Sequence, residues 1–119
     1  MTLHKTSKED FAYFQKRCKV YIDALGLKDF KIYYTHDNSL TTSYAHITPD
    51  VEAGMATVGL TIDWEHQKVT KAQLDYCAKH EVLHLLLADL VNVGKLRQST
   101  TEDFTRAQHA IIRRLENWS

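Results

Sequence analysis

The hydrophobic period of this chain changes twice, and that change limits the fold more than any single residue does. Phe11, Phe14, Cys18, Tyr21, Ile22 and Leu25 recur at helical spacing. Ser7 and Asp10 supply an N-cap with an acidic first turn, and Gly26 is placed to stop the helix, so a helix is expected over roughly Lys8 to Leu25. The period then shortens. Phe30, Ile32 and Tyr34 alternate with Lys31 and Tyr33, and a turn-rich His36-Asp37-Asn38-Ser39 follows. Residues Thr41 to Ile47 are β-branched and aromatic enough for a second strand, with Thr48-Pro49-Asp50 and Gly54 as the connection to a third. In that third strand Ala56, Val58, Leu60 and Ile62 face a core, while Thr57, Gly59 and Thr61 face the other way. Helical spacing returns after Thr70, which caps a long helix from Lys71 to about Val93 with Gly94 as its stop. A last helix opens at Thr100 or Thr101 and runs to about Trp118, with Phe104, Ile111, Leu115 and Trp118 as its apolar stripe. The expected class is α+β: a helix, a small antiparallel sheet of about three strands, and two helices.

A chain of 119 residues, 44% of them apolar, holds one core, so residues 1–119 are read as a single domain. Fifteen basic residues balance fifteen acidic ones, which removes any global attraction to nucleic acid or to an anionic membrane. Arg113-Arg114 and Lys95/Arg97 are interspersed with acidic residues and form no basic stripe. Two cysteines, Cys18 and Cys77, exclude a disulfide framework. The first residues lack the apolar segment of a signal peptide, and Val82 to Val93 is too short to span a bilayer. A cytoplasmic protein without membrane or nucleic-acid partners is the expectation.

Seven histidines remain to be explained. Two stand in His80-Glu81-Val82-Leu83-His84, inside the segment with the strongest helical character. Residues four apart on a helix differ by about 40° in rotation and about 6 Å in rise, so both imidazoles leave one face and can share a metal ion. Glu81 lies about 60° to 100° round the axis, too far for an obvious third ligand but close enough to hold a water on that metal. Zinc takes such ligands and keeps a position open. It lowers the pKa of bound water to about 7, and a neighbouring carboxylate can then take the proton and return it to a leaving amine. A shuffled chain of this composition would contain the pattern only about 2% of the time, so the match carries weight.

The run from His80 to Leu90 and the ending Ile111-Ile112-Arg113-Arg114-Leu115-Glu116-Asn117 resemble small bacteriophage-encoded chains classed as metallopeptidases. The motif itself looks like the active-site helix of the zincin metallopeptidases, and the element order resembles a minimal zincin. The resemblance implies a zincin-like fold, a zinc cofactor, hydrolysis of peptide bonds in a peptide or protein substrate with Glu81 as general base and acid, and the cytoplasm of a phage host. It names no substrate.

Catalytic zinc needs a third protein ligand beyond His80 and His84. The chain lacks the histidine spacing of metzincins and the Asn-Glu-x-x-Ser/Asp pattern of thermolysin-like enzymes. Glu102 and His109, seven residues apart and on nearly one face of the last helix, are both placed to serve. His109 is preferred as the softer donor beside an apolar stripe, with Glu102, Asp103 and Glu116 as alternatives. Tyr76, Tyr44, Tyr33 and Arg113 are candidates for stabilising an oxyanion, and Asp89 for orienting a histidine. Cys77, one turn before His80, reads as a buried thiol rather than a ligand. His4, His36, His46 and His66 read as surface residues, with lining a cleft as the alternative for His46. Met55 to Ile62 has the position of an edge strand that could hold extended substrate. The rival reading is a catalytically silent zincin-like module that binds zinc and a protein partner; a further one is a metal-free helical partner protein.

Overall fold

The computed structural model describes residues 3–38, 43–88, 90–92, 101–102, 105–106, 108–109 and 112. Helix α1 spans Lys8–Ala24. Its N-cap Ser7 accepts from the Asp10 amide at 3.1 Å, and the Asp10 carboxylate accepts from the Ser7 amide at 2.8 Å, so aspartate completes the capping box. The helix ends where Gly26 takes φ 69°, a left-handed conformation that costs a glycine little. Phe14, Cys18 and Ile22 form its buried stripe.

The sheet is three-stranded as expected, but its pairing is mixed. Strands β2 (Lys31–Asp37), β3 (Ala45–Asp50) and β4 (Met55–Thr61) lie in the order β2-β4-β3. β3 and β4 form an antiparallel hairpin, whereas β2 and β4 run parallel from Lys31↔Met55 to Asp37↔Thr61. The chain reverses at each connection, so the first and third strands share a direction. The third then inserts between its predecessors, and the expectation of an all-antiparallel sheet is corrected. The same insertion makes β4 central, so the edge strands are β2 and β3 and not Met55 to Ile62, and β3 is the edge packed against α2. Pro49 sits inside β3 rather than in a connection, a position an edge strand tolerates. A second, two-stranded sheet pairs β1 (His4–Lys5) with β5 (Asp63–Glu65).

Helix α2 spans Lys71–Leu86, capped by Thr70, whose hydroxyl accepts from the Gln73 amide at 3.1 Å. Residues 88 and 90–92 continue as helix, while the expected end at Val93 and Gly94 lies outside the described residues. The core lies between α1, α2 and one face of the sheet: Phe14, Cys18, Val58, Leu60, Trp64, Leu74, Ala78 and Val82 are all 1% exposed or less. Each large apolar side chain so buried contributes about 1.5–3 kcal/mol relative to exposure. That outweighs the half-exposed Arg17–Asp75 pair (2.6 Å), whose kind is worth about 1 kcal/mol or less, although Asp75 also accepts from the Tyr21 hydroxyl at 2.8 Å and ties α1 to α2.

The other sheet face is less open than its polar sequence suggests. Thr61 and Gly59 are buried. The Thr61 hydroxyl donates to the Ser43 carbonyl at 2.7 Å, and the His46 imidazole folds flat onto Gly59, where any Cβ would overlap it. The His36 expectation is corrected: its ring stacks on Phe11 with centroids 4.8 Å apart, and its Nε2 lies 2.7 Å from the Thr6 hydroxyl. His4 is half-buried in β1, and His66 is exposed.

Described residues between 101 and 112 are helical and belong to the C-terminal helix. Ile112, 1% exposed, packs with Leu83 and Leu87 and docks that helix on the end of α2. Of the expected stripe, Phe104, Ile111, Leu115 and Trp118 lie outside the described residues. No helix among the described residues is long and apolar enough to cross a membrane.

Candidate metal centre

Local helix geometry does for His80 and His84 what their spacing promised. Their Nε2 atoms face one another 3.2 Å apart, with ring planes at 70°. Two nitrogens bound to one zinc at about 2.0–2.1 Å with a tetrahedral angle would stand about 3.3 Å apart. The spacing of the two nitrogens is close to the one a shared zinc would set. Both rings are half-buried at the edge of the α2 core face, where a cleft of about 730 Å³ opens.

The cleft has three walls. One is α2, with His80, Glu81 and His84; the second is β3 from Ala45 to Asp50; the third is the C-terminal helix with Gln108 and His109. Glu81 is 8% exposed and is the only charged side chain in the buried class among the described residues. Burying a carboxylate is costly unless its partners or its function compensate. Buried as it is, Glu81 still lines the cleft beside His80 and His84.

Docking by Ile112 sets the place of His109, one turn earlier on the same helix. Its ring lies edge-on to that of His84, with centroids 5.3 Å apart. Among the described residues no three His, Cys, Asp or Glu side chains form a cluster able to hold a metal, so His109 stands beside the histidine pair without closing a three-donor set. Glu102 does not line the cleft; it is exposed and lines a neighbouring open depression with Thr105, Arg106 and His109, so His109 borders both. Asp103, Glu116, Arg113 and Asp89 lie outside the described residues.

Of the tyrosines, Tyr44 and Tyr76 border His80 and Glu81, whereas Tyr33 is exposed on β2. The Tyr76 ring stacks towards His80 at 6.0 Å between centroids, and the Tyr44 ring rests on Trp64 at 4.9 Å. Cys77 is a buried free thiol, and burial together with the nearby negative charge of Glu81 pushes its pKa up to about 12. It packs in the main core cluster with Leu74, Ala78 and Val82, which agrees with its reading as a core residue. His46 lines the cleft from β3, yet its ring lies back over Gly59.

The edge of β3 is the site feature that sequence reasoning assigned to the wrong strand. Thr61 N–H donates to the Tyr44 carbonyl at 2.9 Å, in register with His46↔Gly59 and Thr48↔Thr57. Main-chain bonding in an antiparallel pair alternates, so Ala45, Ile47 and Pro49 turn their main-chain groups away from β4, towards the free edge. Pro49 therefore sits where its missing N–H breaks no bond in the sheet. No protein-family model, curated protein or solved structure matches the chain.

Proposed function

We propose that this protein is a zinc-dependent metallopeptidase. The observation that carries the reading is the convergence of His80 Nε2 and His84 Nε2 at 3.2 Å beside a buried Glu81, in a cleft walled by the outer edge of β3, which no strand among the described residues pairs. His80 and His84 would hold the zinc, and His109, which lies beside His84 without completing the set, would turn in as the third donor. Bound zinc supplies Lewis-acid polarisation of a carbonyl and acidifies a water. Glu81 would take the proton from the attacking water and pass it to the leaving amine. The edge of β3 suits an extended peptide: Ala45 and Ile47 each offer an N–H and a C=O, and Pro49 a C=O alone. A substrate strand thus finds two complete main-chain pairs and one half pair along this edge.

The test compares wild type with Glu81→Gln, both loaded with zinc. Metal analysis is expected to find about one zinc per chain in each. Cleavage of a peptide library is expected to fall at least about 100-fold in the variant, the scale of general-base catalysis. Equal cleavage by the two proteins would overturn the role of Glu81. Full zinc content with no cleavage by either would overturn the peptidase reading in favour of a zinc-binding interaction module.

A further inference from the structure

A second cavity, of about 200 Å³, opens beside the metal centre on its other flank. It shares Ser43, Ala45, His80 and Glu81 with the main cleft, so the two lie side by side. Its own walls are Tyr44, from the segment entering β3, and Tyr76 and Cys77, from the turn of α2 before His80. Both tyrosines are among the exposed large hydrophobic residues, at 40% and 51%. Two exposed aromatic residues lining one cavity beside the histidine pair are unusual for mere packing. Each ring is also held in place, Tyr44 on Trp64 and Tyr76 beside His80.

Resting on the metallopeptidase reading, we propose that this cavity is a specificity pocket for the side chain of a substrate residue flanking the cleaved bond. Tyr44 and Tyr76 would be its walls and Cys77 its floor. The volume admits one side chain of leucine to phenylalanine size. Two rings, the Ala45 methyl and a protonated thiol favour an uncharged, apolar or aromatic group. Among the described residues no lysine or arginine lines the pocket, and an acidic side chain would meet the Glu81 carboxylate. A peptide lying on the β3 edge passes Ala45, which belongs to both cavities, so main-chain pairing would deliver its side chains to the pocket mouth.

The experiment has two arms, run on zinc-loaded protein. In the first, wild type, Tyr76→Ala and Cys77→Ala are profiled on a peptide library for the residues on each side of the cut. Wild type is expected to prefer Phe, Leu or Met over Asp at one flanking position by at least about tenfold in kcat/KM. Tyr76→Ala should lose that preference, and Cys77→Ala, with a deeper floor, should shift it towards larger rings. In the second arm, binding of the same peptides to Glu81→Gln is measured by fluorescence anisotropy, with circular dichroism to establish that each variant is folded. The same order of affinities, weakened by Tyr76→Ala, would support the pocket even if no peptide were cut, an outcome that sinks the peptidase reading alone. Cleavage with flanking preferences unchanged in both variants would overturn the pocket and leave the peptidase reading standing. Neither binding nor cleavage of any peptide would overturn both.

Discussion

Ile112 is the residue on which the link between the C-terminal helix and the metal centre depends, and its truncation offers a quantitative test. The side chain is 1% exposed and meets Leu83 and Leu87 on α2. Ile112→Ala removes three buried carbon groups, worth about 2.4 kcal/mol at about 0.8 kcal/mol each, and a cavity term raises the loss to about 3 kcal/mol. The cluster is separate from the main core, so the cost should fall on docking of the helix and leave α1, the sheet and most of α2 folded. At 1.4 kcal/mol per tenfold, about 3 kcal/mol weakens docking by up to about 150-fold. His109 then spends less time beside His84, and zinc affinity should drop by at least tenfold, on the order of the loss from His109→Ala itself. The assay is competitive zinc titration of wild type, Ile112→Ala, His109→Ala and the double variant. The two single losses should not add, because both remove the same ligand. Unchanged zinc affinity in Ile112→Ala would refute the coupling. An equal further loss on the His109→Ala background would show that Ile112 acts on the metal centre by another route.

Other outcomes follow from the same structure. His80→Ala should lose stoichiometric zinc, and with it the rise in melting temperature that added zinc gives wild type; retained metal content would sink the ligand assignment. Gly59→Ala places a methyl group into the His46 ring and should cost about 1–3 kcal/mol in urea unfolding, a cost that His46→Ala relieves; additive losses would disprove the contact. Burial raises the thiol pKa of Cys77 from 9.0 to about 12, and that of Cys18 is raised as well. Above about pH 9 the unfolded chain therefore releases protons that the folded chain keeps, so stability should fall as pH rises from about 9 towards 12. Denaturation followed against pH should show a shallower fall in Cys77→Ala; an identical slope would contradict the assignment.

Much of the fold was legible because local rules decided it. The Ser7–Asp10 box, the Phe14–Cys18–Ile22 stripe, the Thr70 cap and the alternation in β4 each depend on residues within one or two turns of one another. The misreadings all involve partners distant in sequence. Alternation in Met55 to Ile62 reveals a strand with one core face, but it does not reveal whether that strand is central or peripheral. Insertion of β4 between β2 and β3 decided this, and it moved the free edge to a strand containing the only proline of the chain. His36 looked like a turn residue because Asp37 and Asn38 follow it. Its ring is enclosed by Phe11 and Thr6, some 25 to 30 positions away.

The candidate site divides along the same line. Sequence alone determined that His80 and His84 share a helix face and that Glu81 follows one of them, since the helical repeat is set by backbone geometry over four residues. Tertiary structure decided the rest: that Glu81 is buried, that β3 supplies the strand edge beside α2, that Tyr44 and Tyr76 line one cavity, and that Ile112 docks the helix that bears His109 near His84. These depend on which surfaces pack together, and packing is settled by the sum of contacts across the whole chain rather than by the residues of any one segment.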